Sequence, residues 1–194
     1  MDYRWSPTTL IIEGDFLAVS TGVGGGFSRV SALFNHTVPR DWHDADPLAF
    51  IRDIARNERI NGSFYGLLTA VPMQNLVICK SAFLTVFITA GNSSSTINII
   101  AVSREGVRMN ALAEAIGTIS SAKTAALLRR GHDFIATPTD AVIVACEGKP
   151  IHRYAGTATP LGRALVNTVM TGVPRALSAY ENESRGPIEI KVDA

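Results

Sequence analysis

Apolar and polar positions change period several times along the chain, and each change predicts an element. Residues 9–12 and 16–20 read as two short strands, with Glu13-Gly14-Asp15 as the turn between them. A glycine-rich loop over residues 21–26 follows, and residues 30–34 form a further short strand. The middle of the chain is dense in Val, Ile, Phe and Thr, which predicts strands over residues 76–81, 82–89 and 97–102, with a small polar loop over 91–96. Residues 141–146 are continuously apolar, as in a central strand buried on both faces. Residues 188–192 alternate with polar positions and read as an edge strand.

Helical periods fill the spaces between. Asp46 supplies an N-cap and Pro47 the first helical position. Leu48, Ile51, Ile54 and Ala55 give an apolar face, and Asn61-Gly62 a stop. A long helix is expected from a cap at Asn110 to about Arg130. Leu112, Ala115, Ile116, Ile119, Ala126 and Leu127 face the core, and Gly131 follows. Thr159-Pro160 starts the last helix, which runs to about Tyr180 with a kink near Gly172 and Pro174. The fold expected is α+β: a single domain over residues 1–194, in which a mixed β-sheet is covered by two long helices and one shorter helix.

Composition narrows the classes. Lys and Arg total 18 and Asp and Glu total 17, so the net charge is +1. That balance excludes the basic face of a nucleic-acid binder and a polybasic membrane-surface protein. With 46% hydrophobic residues the chain can build a core. The longest apolar run, residues 82–90, is far short of the ~20 residues that span a bilayer. No apolar segment follows the opening Met-Asp-Tyr-Arg-Trp, and only Cys79 and Cys146 are present, both inside apolar runs. The setting expected is a reducing cytoplasm, with both thiols buried. Phosphate-loop, dinucleotide and zinc-protease motifs are absent, and Gly91-Asn92-Ser93-Ser94-Ser95 departs from a nucleophile elbow at its last position. His36, His43, His132 and His152 are scattered, with no pair at helical spacing, so no metal ligand set is assigned. His43, in Asp41-Trp42-His43-Asp44, reads as part of a solvated turn.

Four segments combine small polar residues with buried elements. Gly24, Gly25 and Gly26, with Asn35 and His36 downstream, offer either a turn or backbone N–H groups for an anion or oxyanion. Ser95, Thr96 and Asn98 cluster at a strand start, where a buried Asn98 needs a dedicated partner in backbone or substrate. Thr137, Thr139 and Asp140 precede the central strand, so Asp140 is either desolvated or bonded to nearby amides. Gly156, Thr157 and Thr159 lead into a helix, as an anion site or as a simple cap. Lys123 lies on the small, apolar side of the long helix, where it either snorkels to solvent or pairs with a carboxylate such as Asp140.

Taken in order, these segments resemble the adenosylcobinamide amidohydrolase family. The stretches that carry the resemblance are Ser95-Thr96-Ile97-Asn98-Ile99-Ile100, Ala122-Lys123-Thr124-Ala125-Ala126-Leu127, Thr137-Pro138-Thr139-Asp140-Ala141 and Tyr154-Ala155-Gly156-Thr157-Ala158-Thr159-Pro160-Leu161-Gly162. The chain departs from the family pattern at Ser121 and Pro160, where that pattern has Glu, and at Pro138, where it has Gly. The resemblance implies hydrolysis of the aminopropanol amide of adenosylcobinamide in corrinoid salvage, with the corrinoid as substrate and no cofactor required. Its alternatives are a corrinoid-binding module without activity, or hydrolysis of another small amide.

Amide hydrolysis needs an activated water, an oxyanion site and a proton for the leaving amine. On this reading Asp140 is the general base or its orienter, Lys123 keeps it ionised, and His36 is a reserve acid–base. Gly156 to Thr159, or Gly24 to Gly26, form the oxyanion site. Asn98 and Thr157 position the amide, and Asn35, Ser95, Thr96, Thr137 and Thr139 contact substrate. A corrinoid exceeds a usual ligand pocket of ~300–1,000 Å³, which predicts a broad cleft and a homodimer.

Overall fold

The computed structural model describes residues 1–91 and 96–193. Eleven strands and three α-helices are present among them. The strands are β1 Asp2–Trp5, β2 Thr9–Ser20, β3 Gly26–Thr37, β4 Phe64–Thr69, β5 Val77–Lys80, β6 Leu84–Ala90, β7 Ile97–Ser103, β8 Gly106–Val107, β9 Ala141–Cys146, β10 Pro150–His152 and β11 Ile188–Lys191. The helices are α1 Pro47–Asn57, α2 Met109–Arg129 and α3 Pro160–Glu181, with a 3₁₀ turn at Met73–Asn75. One mixed sheet runs in the order β11-β5-β6-β7-β9-β2-β3-β4, with β1 added to β2, and β8 and β10 form a small parallel pair. The α+β expectation with two long helices and one shorter one is met.

Two expected boundaries differ. Glu13-Gly14-Asp15 is no hairpin turn, because β2 continues through it with a register shift against β3 between Glu13 and Phe16. A Cβ at Gly14 would lie 2.6 Å from the Phe16 ring and 2.7 Å from Glu147, so only glycine fits this bulge. The long helix begins at Met109 with Arg108 in the cap position, and Asn110 instead donates to the Arg153 carbonyl. The third helix continues unbroken through Pro174. β11 lies at the far edge, as its alternating pattern predicts, and pairs there in parallel with β5.

The bulge shapes the sheet. Beyond it β2 pairs with β9 over residues 17–20, and before it with β1 over residues 10–13. The strand therefore bends, and the sheet coils until the ends of β3 and β4 reach the β6–β7 pair. One face encloses Leu10, Phe16, Leu33, Phe87, Ile100 and Ile143, and the opposite face packs Val86, Ile99 and Val144 against α2 and α3. The α1 helix covers the outer face of β3 with Ile51, Ile54 and Ala55. Both cysteines are buried and free, and burial pushes the Cys79 thiol up to about 11. No helix among the described residues is long and apolar enough to cross a membrane.

Candidate active site

The β7-α2-β9 crossover sets the site. The helix returns over the parallel pair β7 and β9, so its last third lies above the starts of both strands. Lys123 sits there on the buried side of α2, between Ala122 and Ala126, and its Nζ bonds Asp140 Oδ2. The two side chains are 8% and 12% exposed, so this is a buried ion pair. Asp140 also accepts from the Ile97 N–H at 2.9 Å and the Thr137 N–H at 3.1 Å, and from the Thr137 hydroxyl. Four donors thus fill the four lone-pair directions of one carboxylate. Pro138 fits this geometry because its fixed φ suits the second position of the turn that Asp140 closes on Thr137. The next hydroxyl, Thr139 Oγ1, lies 2.8 Å from Thr96 Oγ1.

Beside Asp140 the glycine loop is tied to the same strand. Val142 N–H donates to Thr21 Oγ1 and Thr21 N–H to the Val142 carbonyl, each at 2.9 Å. Gly25 N–H then closes on the Gly22 carbonyl, and a Cβ on Gly25 would stand 2.2 Å from the Ser20 oxygen. Gly24 has φ +65°, and the N–H groups of Val23 and Gly24 donate to none of the described residues. Two successive N–H groups at such a turn form a small anion-binding nest. A cleft of about 300 Å³ lies between this loop (Gly22, Val23), the α1 entrance (Trp42, Pro47) and the Thr139-Asp140 turn.

Behind the cleft is a buried amide network. Asn98 Nδ2 donates to Asn35 Oδ1 and to the Leu68 carbonyl, both at 2.9 Å, and Asn35 Nδ2 donates to Thr89 Oγ1 at 2.9 Å. Asn98 is 1% exposed, and its Oδ1 has no partner among the described residues. Asn98 therefore finds the dedicated partner that its burial requires in backbone and in a second amide. The network joins β3 and β4 to β7 directly behind Leu68, which also lines the cleft.

The other predicted residues fall elsewhere. His36 faces α1, bonded to Thr9 Oγ1 at 2.8 Å and edge-on to Phe50. Burial lowers its pKa, with Glu58 pulling the other way. The loop that carries Gly156, Thr157 and Thr159 is tied to the first half of α2 through Ala155, and Thr157 is exposed. Glu114 Oε2 accepts from Ala155 N–H at 2.6 Å, Thr118 donates to the Ala155 carbonyl, and Thr159 caps α3 through Gly162 N–H at 3.0 Å. Glu114 and Lys123 are separated by roughly 13 Å along the helix at ~1.5 Å per residue, so this loop and Asp140 do not converge within one chain. Ser95 lies outside the described residues. Trp42 was hidden in a segment that reads as a solvated turn, and the apolar Trp beside Pro47 is the signal that marks it.

A buried ion pair, paired hydroxyls and unpaired backbone donors around a small cleft define a site for a polar small molecule. Residues 9–185 match the model of the adenosylcobinamide amidohydrolase family. An adenosylcobinamide amidohydrolase of Methanosarcina mazei is 42% identical, over 91% of this chain and 98% of its own length. One of Halobacterium salinarum is 28% identical, over 88% of this chain and 84% of its own length. The chain belongs to the adenosylcobinamide amidohydrolase family, and it is an enzyme of the amide-hydrolysing class. No solved structure matches it.

Proposed function

We propose that the protein hydrolyses the aminopropanol amide of adenosylcobinamide, releasing adenosylcobyric acid and 1-aminopropan-2-ol, in the corrinoid salvage of the cytoplasm. Family membership over residues 9–185 carries this reading. Three family stretches meet at the Thr139-Asp140 turn that lines the cleft, Thr96 on Thr139 and Lys123 on Asp140, and this supports it. The amide carbonyl is placed at the N–H groups of Val23 and Gly24, which stabilise the developing oxyanion. The Thr139 hydroxyl, braced by Thr96, orients the attacking water, accepts its proton and passes its own to the leaving amine nitrogen. Asp140 has its lone pairs filled, so it acts as an orienter. It fixes the 137–140 turn and the start of β7, and Lys123 balances its charge. Asn98 and Asn35 hold the cleft wall at Leu68. The reading invokes no cofactor. A homodimer accompanies it, because a corrinoid exceeds the cleft, and light scattering showing only monomer would count against that part.

Release of aminopropanol from adenosylcobinamide by the purified protein is the test. Amine release that depends on enzyme concentration is expected, and its absence under substrate saturation would overturn the reading. Hydrolysis of another small amide is the second reading, favoured by a cleft of about 300 Å³, smaller than a corrinoid. Amine release from small amides but not from adenosylcobinamide selects it.

A further inference from the structure

Most polar groups around the cleft are already used. The Thr21 hydroxyl is spent on Val142, and the Asp140 carboxylate is filled by Lys123, Ile97 and Thr137. The Thr139 hydroxyl and the N–H groups of Val23 and Gly24 are placed at the reacting amide. The rest of the lining is largely apolar, with Val23, Trp42, Pro47, Leu67, Leu68 and Pro138 around the hollow. Val23 is 40% exposed. Exposed apolar side chains gathered at one hollow mark a binding surface.

Trp42 is the largest side chain on this wall. Its ring centroid lies 5.1 Å from that of Phe50, tilted by 39°, and Phe50 packs on the core under α1. Its backbone N–H closes a turn on the Pro39 carbonyl at 3.0 Å. The ring is therefore held both through its backbone and from behind, so little freedom remains to be lost on binding. Trp42 is nevertheless only half-buried, and its indole N–H donates to no described residue. A tryptophan that serves a core alone is normally more enclosed, with that N–H paired. Here an apolar body and one open donor border the site.

Size decides which part of the substrate meets this wall. The scissile amide joins a corrinoid, larger than the cleft of about 300 Å³, to a short aminopropanol arm. Only the arm fits inside, and the macrocycle stays at the mouth. Beyond the amide nitrogen the arm carries a methyl group and a hydroxyl. An indole offers an apolar surface to the first and an N–H to the oxygen of the second. We propose that Trp42 is the specificity-determining residue of a leaving-amine pocket, which it forms with Val23 and Leu68. The inference rests on the proposed function and deepens it, because selection then falls on the amine that is released. Trp42 acts in binding, apart from the proton exchange at Thr139.

The test compares kcat/KM of the full chain on adenosylcobinamide and on its analogue with a 2-aminoethanol arm, which lacks only the methyl group. The wild type is expected to prefer the aminopropanol amide about tenfold. Trp42→Ala is expected to narrow that preference to within about twofold, and Trp42→Phe to keep most of it. A second measurement needs no turnover. The chain has two tryptophans, so in Trp5→Phe protein only Trp42 emits. Its emission is expected to change saturably with N-(2-hydroxypropyl)acetamide, the arm as a neutral amide without the macrocycle. Equal kcat/KM of the wild type on both corrinoids overturns the pocket alone. So does a Trp42→Ala variant that loses both rates alike and keeps the preference, which would give the ring a structural role. Emission that does not respond overturns the pocket whether or not hydrolysis occurs. A wild type that releases no amine, while the Trp42 emission still saturates, overturns the hydrolase reading and supports the pocket.

Discussion

The two small-residue loops that flank β9 invite comparison. Residues 137–140 lead into the strand and residues 155–159 lead away from it towards α3. Both are rich in Thr, and both lean on α2. They differ in what the helix offers. The later part of α2 presents Lys123, a buried cation that draws Asp140 and its turn into an ion pair beside a cleft. The earlier part presents Glu114 and Thr118, which consume the backbone groups of Ala155. One loop presents the Thr139 hydroxyl to a hollow. The other caps a helix with Thr159. A shared composition thus takes two different surroundings according to the partner across the helix.

Breaking the ion pair should have the largest effect. Lys123→Met leaves Asp140 buried and uncompensated, and should cost about 3–5 kcal/mol in denaturant unfolding together with most of the activity. The double variant with Asp140→Asn should recover part of that stability without recovering turnover. Next comes Thr139→Val, with kcat lowered about a hundredfold and stability nearly unchanged, because Thr139 is an exposed residue whose hydroxyl is bonded only to Thr96. Equal turnover of this variant would remove the hydroxyl pair from the chemistry. On the supporting side, Thr159→Ala should cost about 1 kcal/mol of stability through the lost cap, with kcat/KM preserved. A large loss of turnover there would erase the division between the loops.

The smallest effect is a pH dependence at His36. Burial holds the folded pKa below the ordinary 6.5, so the folded state resists protonation that the unfolded chain accepts. The contribution is fully present above pH 6.5 and is lost as pH falls from there through the lower folded value. Thermal melts of His36→Gln should decline less steeply with acid than those of the wild type, and the imidazole should titrate below 6.5 by NMR. An imidazole titrating at or above that value would contradict the burial.

Much of this was legible in the chain. Capping residues and the Pro at the first helical position announced α1 and α3, and the unbroken apolar run of residues 141–146 gave the central strand. Lys123 on an apolar helix face is so costly that a carboxylate partner could be anticipated, and Asp140 supplied it. The bulge in β2 was not legible, because Glu13-Gly14-Asp15 has the same local chemistry as a hairpin turn. Only the long-range pairing of β3 along both halves of the strand distinguishes them. β1, β4 and the β8–β10 pair were missed for a related reason, since short strands owe their conformation to neighbours distant in sequence. The cleft itself depends on coiling that brings Leu68 beside Asp140, and no local pattern encodes it.

One contact has a temporal meaning. The Tyr3 hydroxyl donates to Glu189 Oε1 at 2.5 Å, and Lys80 Nζ bonds both at 2.9 and 2.8 Å, joining β1, β5 and β11 in one clasp. Tyr3 and Glu189 stand 186 positions apart. During synthesis the first strand must wait, with its partner on β2 already made, until the last strand has left the ribosome. The clasp is therefore made later than the pairing of β1 with β2, and a nascent chain stalled before Glu189 holds β1 and β5 without it.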